Sequence, residues 1–391
     1  MKLRRAAFIV CLALSAAAAV PADTLVRNAA EFRAAVAAAQ PGDRIVLQGG
    51  DYGGGYQFAN LRGEPDRPIV IAAANVGTPP RFSGGSVGIH LAKPAYVELV
   101  GLEFTRHSAN GLNIDDGGEL TGMGAHHLVL RGLRVTDIGA AGNQDGIKIS
   151  GVSDFHILDC TIERWGTRGG SAIDAVGCHR GLVEGNVFRH GDAPGCSGVQ
   201  CKGGSTEIAI RANRFENAGG RAVNIGGSTG RQFFRPPLAG DGPQAESRAI
   251  RVEGNTFIGG MTPVAFAGAD GGVVRFNTIE RPSRWALRIL QENRAADFVA
   301  CRNGEFTDNV IIFESTGWSE GGVNIGPGTA AETFTFARNW WYCADRPERS
   351  APRLPSPERD GVHGRAPAAA ANVAGAAAWP AAAKRTSPPR S

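Results

Sequence analysis

The most constraining feature of this 391-residue chain is a three-residue pattern, apolar, variable, apolar, that recurs through its middle. Its eight copies are Leu112-Asn113-Ile114, Ile147-Lys148-Ile149, Ile173-Asp174-Ala175, Val199-Gln200-Cys201, Val223-Asn224-Ile225, Val264-Ala265-Phe266, Leu287-Arg288-Ile289 and Val323-Asn324-Ile325. Between these copies lies a second element, an Asn followed by a variable or apolar residue and then an apolar or aromatic one. It begins at Asn186, Asn213, Asn255, Asn277, Asn309 and Asn339, and Gly101, Gly132 and Cys160 hold the equivalent place earlier. Such internal repetition indicates a stack of similar structural units.

The spacing of the second element identifies the kind of stack. Its members are 22 to 42 residues apart and are separated by loops of variable length. An array of hairpins would instead show two-residue turns between paired runs. Units of two or three short strands at this period are typical of a solenoid whose coils stack on one another. We therefore predict an all-β right-handed parallel β-helix, in which the Asn is a bend residue that tolerates left-handed backbone geometry and hydrogen-bonds one coil away.

Glycine content and the ends of the repeat agree with this fold. The 55 glycines disfavour a long helical bundle, because glycine in a helix interior costs about 1 kcal/mol. The segment Ala29 to Ala39 reads as a short capping helix that covers the first coil with Phe32, Val36 and Ala39. At the other end, Trp340, Trp341 and Tyr342 are placed to cover the last coil.

The termini read differently from the repeat. Residues 1–22 have a basic start, an apolar stretch and small residues before a cleavage site, so they predict a signal peptide and an exported protein, periplasmic or extracellular. The apolar stretch is too short to span a membrane, and we expect no membrane insertion. Residues 23–344 form the predicted β-helix domain. Residues 345–391 are rich in Pro, Ala and Arg and are predicted to be a disordered tail.

Charge and cysteine content narrow the function classes. The chain has 41 basic and 37 acidic residues. The signal segment holds 3 of the basic ones and the tail 8 basic and 4 acidic, which leaves 30 basic and 33 acidic residues in 23–344. A slightly acidic body argues against nucleic acid as a partner. The six cysteines after residue 22 include no C-x-x-C pair, so we predict no metal site of that type, while a Cys301–Cys343 bridge stays open.

Strand alternation maps the outer surface of the predicted coils. In each apolar-variable-apolar element the middle residue points outward, and stacking aligns these residues in a row. The row reads Asn113, Lys148, Asp174, Gln200, Asn224, Ala265, Arg288 and Asn324, and a second row two positions on reads Asp115, Ser150, Val176, Lys202 and Gly226. Lys148, Asp174 and Lys202 cluster over neighbouring coils, and Arg221 begins one of the strands. We predict these four residues as the catalytic group.

The longest insertion in the repeat lies beside this cluster. Residues 228–247 leave the strand that carries Asn224 and bring two arginines and two phenylalanines to the edge of the same face. Loops on a rigid scaffold commonly carry binding groups. The predicted substrate-binding residues are Asn113, Gln200, Asn224, Arg231, Phe234, Arg235 and Arg288.

Several segments together resemble a known family. Pro41-Gly42-Asp43-Arg44-Ile45-Val46-Leu47, the Asp51-Tyr52 pair and Pro68-Ile69-Val70-Ile71 follow the Ala-rich helix, and Val199-Gln200-Cys201-Lys202-Gly203 follows later. Over about 23–343 the chain resembles the pectin-lyase-like superfamily. These segments resemble the polysaccharide lyase family that includes alginate lyases and chondroitinase B.

The resemblance implies roles for particular positions. Lys202 matches the family's catalytic base. The family's catalytic Arg position is Gly226 here, for which Arg221 or Arg231 could substitute. The family's calcium-binding acids are replaced by Gly195-Cys196-Ser197, so we predict no cofactor and assign the charge-neutralising role of calcium to Lys148.

The implied substrate is an acidic, uronate-containing polysaccharide or oligosaccharide, acted on by a monomer. Lys148 and an Arg would neutralise the carboxylate so that the enolate is stabilised, and Lys202 would remove the C5 proton in its uncharged form. Elimination of the 4-oxygen gives a lyase, the favoured activity, and return of a proton gives a C5-epimerase. A glycoside hydrolase that uses Asp145 and Asp174, and a non-catalytic carbohydrate-binding or structural protein, remain alternatives.

Overall fold

The computed structural model describes residues 23–120, 124–139, 141–191, 193–238 and 242–367. Within them the chain winds through three parallel sheets, each built from one strand of nearly every coil. The predicted signal segment, 1–22, lies outside the described residues.

The first sheet has fifteen strands in the described part of the chain. They are Asp23–Val26, Arg44–Leu47, Ile69–Ala73, Ala95–Val100, Ala125–Arg131, Val152–Leu158, His179–Glu184, Ser205–Arg211, Ser247–Arg248, Arg251–Glu253, Ala269–Asp270, Val273–Arg275, Glu305–Thr307, Thr335–Ala337 and Glu358–Arg359. The strand pairs of this sheet in the described part of the chain are parallel, for example Leu130 with Ile157 and Ile157 with Val183.

The second sheet carries the two predicted outward rows and is called the site sheet. Its ten described strands are Tyr56–Ala59, Val87–Ala92, Asn110–Asp115, Ile147–Ser150, Arg168–Val176, Gly195–Lys202, Arg221–Gly226, Val264–Ala267, Leu287–Leu290 and Val323–Ile325. The third sheet has twelve described strands, Gly50–Asp51, Pro80–Ser83, Glu103–Thr105, Arg134–Thr136, Thr161–Glu163, Val187–Arg189, Arg214–Glu216, Thr256–Ile258, Thr278–Glu280, Val310–Phe313, Trp340–Cys343 and Val362–His363. Short 3-10 turns cover Arg231–Phe233, Glu320–Gly322, Ala331–Thr333 and Pro347–Arg349.

The core lies inside the coils and consists of stacked apolar side chains. Phe188, Phe215 and Phe257 show the stacking, with ring centroids 4.7 and 4.8 Å apart in successive coils. This distance equals the spacing of neighbouring strands, so each coil continues the packing of the one before. Successive strands enter the three sheets in turn and pair in parallel with those of the next coil, which confirms the predicted β-helix.

The first coil is covered by the helix Ala29–Ala38, as predicted. The side chain of Asn28 caps it by accepting hydrogen bonds from the backbone N–H groups of Ala30 and Glu31. Phe32 is fully buried, and its ring centroid lies 4.9 Å from that of Tyr56. The helix therefore shields the open end of the core.

The Asn residues between the sheets form a buried ladder. The Asn277 side chain accepts from the backbone N–H of Asn255 at 2.9 Å, and its own amide donates to the Asn309 side chain at 2.9 Å. This confirms hydrogen bonding from coil to coil. The left-handed residue is the one before each Asn, such as Phe276 at φ 59°, so left-handed tolerance is not why Asn stands there. By this register Leu102 and Leu133, rather than Gly101 and Gly132, are the earlier equivalents.

The far end of the β-helix extends beyond the predicted boundary at 344. Trp341 is fully buried in the strand Trp340–Cys343. Glu358–Arg359 and Val362–His363 then add one more strand each to the first and third sheets. Residues 345–367 were predicted to be a disordered tail, but they are ordered. Leu354 packs on the core, and the Ser350 hydroxyl accepts a hydrogen bond from the backbone N–H of Cys343. Residues 368–391 lie outside the described part.

Candidate functional site

The predicted outward row is present with the predicted register. Asn113 pairs with Lys148, Lys148 with Asp174, and Asp174 with Gln200. The row continues from Gln200 to Asn224, Ala265, Arg288 and Asn324. In the second row, Asp115, Ser150, Val176 and Lys202 are likewise neighbours. Strand alternation therefore predicted correctly which residues are neighbours on this face of the sheet.

Asp174 lies at the centre of the predicted cluster. It is 3% exposed, and its carboxylate makes a short ion pair with the ammonium of Lys148. Its Oδ1 lies 3.2 Å from the Lys202 Nζ and accepts a hydrogen bond of 3.1 Å from the Gln200 amide. Asn224 donates in turn to the Gln200 oxygen at 2.8 Å. One buried acid thus holds two lysines from adjacent coils on either side of it.

A second acid, Asp145, lies beneath the same cluster. Its Oδ2 is 3.6 Å from the Lys148 Nζ, and its Oδ1 accepts the backbone N–H of Ser171 at 2.7 Å. Burial and the nearby Asp174 raise the pKa of Asp145 to about 7. Burial also opposes ionisation of Asp174, but Lys202 and Lys148 outweigh it and lower the pKa of Asp174. At neutral pH Asp174 is therefore the ionised partner, whereas Asp145 is partly protonated.

Lys148 responds to both acids. Burial alone would lower the pKa of Lys148, but the charges of Asp174 and Asp145 outweigh it and raise that pKa. The Lys148 side chain is 28% exposed, so a charged ammonium is available at the surface. This suits Lys148 to bind an anion rather than to accept a proton.

The insertion folds back over this face. Arg235 donates through Nε to the Asp116 carboxylate at 2.6 Å, and both side chains are largely buried, at 16% and 6% exposed. Phe234 packs under the loop against Phe298, with ring centroids 5.5 Å apart. Phe233, the preceding residue, is 56% exposed. The loop is therefore fixed along the site sheet by one ion pair and one buried ring.

Between the loop and the sheet lies a pocket of about 340 Å³. Its lining residues are Lys148, Ser150, Gly151, Val176, Lys202, Ser228, Thr229, Gly230, Phe233 and Arg235. Three of them carry positive charge and none is acidic. Phe233 supplies one aromatic wall. The pocket is shaped to take an anionic ligand with an apolar face.

The structure brings only part of the predicted set to this pocket. Lys148, Lys202 and Arg235 line it, with Asp174 and Gln200 bonded behind them. Phe234 was predicted as a substrate contact, but it is 1% exposed and belongs to the core of the loop. Phe233 lines the pocket instead.

Five further predicted residues have other partners among the described residues. Arg221 pairs with Glu292 at 2.5 Å, and Arg231 pairs with Asp297 at 2.8 Å. Arg288 lies over the Trp285 ring at 4.6 Å and donates to Asn324. Asn113 donates to Asp115, and Asn224 is fully buried. None of the five is a lining residue, and the arginine that does line the pocket is Arg235, which is itself paired with Asp116.

The sequence did not indicate a role for Glu246, whose carboxylate joins the end of the Lys202 strand to the start of the loop by hydrogen bonds. This residue is fully buried, and its carboxylate accepts from the backbone N–H of Gly203 at 3.0 Å and of Thr229 at 2.9 Å. It also accepts from the Asn293 side chain at 3.1 Å. A lone acid in a Gly- and Pro-rich loop gives no pattern that would have marked it.

The side chains at the resembled calcium position do not fit a calcium ion. Calcium takes oxygen ligands, above all carboxylates. Here Cys196 and Ser197 replace the acids, and the Asp174 oxygens nearby bind Lys148, Lys202 and Gln200. Among the described residues, no group of three His, Cys, Asp or Glu side chains is arranged to hold a metal ion. The six cysteines in this part of the chain are free thiols, so Cys301 and Cys343 are not bridged.

Comparisons with known proteins agree with the observed architecture. The model of the right handed beta helix region matches residues 85–235. An alginate lyase from Paenibacillus sp. str. FPU-7 has a similar structure, with 17% identity and a TM-score of 0.53, over 77% of this chain and 99% of that one. A PL6 family polysaccharide lyase from Pseudopedobacter saltans matches with 15% identity and a TM-score of 0.50, over 88% and 94%.

A glycoside hydrolase has the same architecture. The catalytic unit of a GH87 alpha-1,3-glucanase from Streptomyces thermodiastaticus strain HF3-3 matches with 16% identity and a TM-score of 0.56. The match covers 80% of this chain and 56% of that one. No curated protein gives a significant sequence match.

The protein is a right-handed parallel β-helix with the pectin-lyase-like fold. Its described helices are all too short or too polar to cross a membrane.

Proposed function

We propose that this protein binds and cleaves an acidic, uronate-containing polysaccharide in the pocket between the site sheet and the loop. The observation that carries the proposal is the convergence of Lys148, Lys202 and Arg235 on one pocket with an exposed Phe233. Sugar rings present an apolar face that packs on aromatic rings, and uronates add a carboxylate that requires cations. The structurally similar alginate lyase acts on such a substrate and supports this class.

β-Elimination is the favoured reaction. Arg235 and Lys148 hold the uronate carboxylate, so that the negative charge of the enolate that forms on loss of the C5 proton is stabilised. Lys202 gives up its proton to water when the substrate binds and then, as an amine, takes the C5 proton. The bond from C4 to the glycosidic oxygen then breaks, its electron pair leaves with that oxygen, and the enolate electrons form the C4–C5 double bond. The leaving oxygen takes up a proton.

Two alternatives share this site. A C5-epimerase would use the same proton abstraction and return a proton to the other face, and a binding protein would use the cations without chemistry. Hydrolysis is disfavoured, because a glycosidase needs two carboxyl groups that reach the glycosidic bond. Asp145 and Asp174 are only 4% and 3% exposed and lie behind the lysines.

The test is a panel of alginate, pectate, glycosaminoglycans and bacterial uronate polymers, followed by ultraviolet absorbance of the unsaturated product. We expect one polymer to give this absorbance. Lys202→Ala should abolish it, and Lys202→Arg should abolish it as well, because a guanidinium keeps the charge but does not lose its proton. An active Lys202→Arg variant would overturn the base assignment, and new reducing ends without absorbance would indicate hydrolysis instead. A changed uronate ratio with neither would indicate the epimerase.

Export belongs to the proposal as well. Residues 1–22 have the composition of a signal peptide, and a protein that acts on an extracellular polysaccharide has to leave the cytoplasm to reach it. We propose a periplasmic or extracellular protein that acts as a monomer. Cell fractionation of the full-length chain and sedimentation of the purified protein test these two points.

A further inference from the structure

Three glycines form a shallow groove along one edge of the site sheet. Gly151, Gly177 and Gly203 each follow the last residue of a site-sheet strand in successive coils, and their φ angles are 64°, 61° and 66°. They are stacked, because the N–H of Gly151 donates to the Val176 carbonyl at 2.9 Å and that of Gly177 to the Lys202 carbonyl at 2.8 Å. Since none of the three has a side chain, the backbone is open to close approach there. We call this groove the glycine trough.

Arg235 of the loop lies in the glycine trough. Its backbone N–H donates to the carbonyl of Gly203 at 3.1 Å. A Cβ added at Gly177 would be only 2.7 Å from the Cβ of Arg235, so the arginine side chain rests directly on that glycine. The side chain therefore starts at the coil of Gly203 and crosses the coil before it.

Asp116 lies at the far end of the glycine trough. It follows the strand Asn110–Asp115 and so occupies the equivalent position one coil before Gly151. Its Oδ2 accepts the Nε–H of Arg235 at 2.6 Å, and its Oδ1 accepts the backbone N–H of Gly118 at 2.9 Å. The carboxylate lies so close to Gly151 that a Cβ there would overlap it. Both oxygens are thus held in place by the backbone and the arginine.

The guanidinium of Arg235 is held at two of its three nitrogens. Besides the bond from Nε to the acid, Nη1 donates to the carbonyls of Gln232 at 3.2 Å and Phe234 at 3.1 Å. Within the described part of the chain, Nη2 has no hydrogen-bond partner. Arg235 lines the pocket together with Lys148 and Lys202. Nη2 is therefore the nitrogen that remains available to a ligand.

We propose that Asp116 is a positioning residue for uronate recognition, which keeps Arg235 extended along the glycine trough so that Nη2 donates to the ligand carboxylate. This inference rests on the proposed function and adds the residue on which its arginine depends. A group held in its binding geometry before the ligand arrives loses less conformational freedom on binding. A role for Asp116 as a counter-charge alone predicts the opposite effect, because removal of an acid beside the pocket would then strengthen anion binding.

The test measures the preference for a charged ligand. The uronate polymer of the panel that binds best supplies an acidic oligosaccharide and its carboxyl-reduced, neutral form, and both are titrated by calorimetry into protein that carries Lys202→Arg to prevent cleavage. Asp116→Ala should lower the ratio of the two affinities about fivefold, because Arg235 loses the partner that orients it. Added to Arg235→Ala, the same substitution should lower the ratio no further. A general loss of loop order would instead weaken both forms through Phe233 and leave the ratio unchanged.

Two further variants complete the experiment. Asp116→Asn keeps the size of the side chain but has one oxygen for two donors, so its affinity ratio should fall between those of the host and Asp116→Ala. Asp154→Ala breaks the Arg180–Asp154 pair on the first sheet, where the two side chains are 2.7 Å apart, and should leave the ratio unchanged.

The outcomes separate the inference from the proposed function. An unchanged or higher affinity ratio in Asp116→Ala would overturn the inference, and so would a further loss when Asp116→Ala is added to Arg235→Ala. Equal affinity of the host protein for the acidic and neutral forms, or binding of neither, would instead overturn the proposed function.

Discussion

The contact between one buried carboxylate and two lysines defines the site at the scale of single residues. Asp174 accepts from Lys148 and Gln200 and pairs with Lys202, so the positions of both lysines in the pocket depend on it. The lysine side chains remain 28% and 19% exposed. Asp174 thus holds two charges at the surface of the pocket without entering it.

Removing this carboxylate should be costly. Asp174→Asn leaves Lys202 without its counterion and Lys148 with only Asp145, 3.6 Å away, and breaking a buried pair from one side costs about 3 kcal/mol or more. Urea denaturation should show this loss of unfolding free energy. The exposed Asp137, which pairs with Arg164, offers the matched control, and Asp137→Asn should cost less than about 1 kcal/mol. Equal losses in the two variants would contradict the central position of Asp174.

The raised pKa of Asp145 leads us to predict that the stability of the fold depends on pH. Its carboxyl keeps its proton in the folded protein up to about pH 7, whereas in the unfolded chain it ionises near its ordinary value of 3.8. The native state therefore binds more protons between these values, and stability falls as the pH rises through this window. Asp145→Asn cannot ionise, so its melting temperature relative to wild type should increase from pH 5 to pH 8.5.

The control for this prediction is the same substitution at an acid whose pKa shifts the other way. Arg180 bonds to Asp154 and lowers the pKa of that carboxyl. The relative melting temperature of Asp154→Asn should fall as the pH rises from below 4, because the ionised acid stabilises the fold. A constant difference between Asp145→Asn and wild type across the range would show that Asp145 is not held protonated.

At the scale of elements, two neighbouring rings in the loop of residues 228–238 have different roles, one in ligand binding and one in stability. Phe233→Ala removes an exposed ring from the pocket and should weaken uronate binding by up to about tenfold, with stability changed by less than about 0.5 kcal/mol. Phe234→Ala empties the space against Phe298 and should cost about 3–5 kcal/mol. Calorimetric binding and chemical denaturation of the two neighbouring variants check this. Reversed effects would mean that the loop carries its rings the other way round.

The sequence predicted regular elements far better than the loop. Strand alternation and the repeated Asn set the rows on the site sheet, because stacking in a β-helix follows local patterns that recur in every coil. The partners of Arg235 and Arg221 could not be read in this way. Asp116 is 119 residues from Arg235 and Glu292 is 71 from Arg221, and such contacts depend on how loops fold back.

Adjacent residues in the loop show the same limit. The sequence did not show which of Phe233 and Phe234 is exposed. In a strand, alternation would have told the inward ring from the outward one, but the short 3-10 turn Arg231–Phe233 interrupts it. The end of the domain was misplaced for a related reason. Residues 345–367 have little alternation, yet they are held by contacts with the last coils.

At the scale of the whole molecule, the β-helix has a slightly negative net charge but places three cationic side chains in one pocket. The segment 23–344 has 30 basic and 33 acidic residues, while Lys148, Lys202 and Arg235 share one pocket. The coils fix these residues through parallel pairing, and the loop adds the wall that strands alone do not provide. The proposed recognition of a carboxylated sugar therefore depends on this one part of the surface and not on the net charge of the chain.

The most direct measurement compares an acidic oligosaccharide with its carboxyl-reduced, neutral counterpart in calorimetric titrations of the same protein. We predict that the acidic form binds, that the neutral form binds at least about tenfold more weakly, and that Lys148→Ala/Arg235→Ala abolishes the difference. Equal affinity for the two forms in the wild-type protein would contradict the claim that this pocket recognises uronate through its cations.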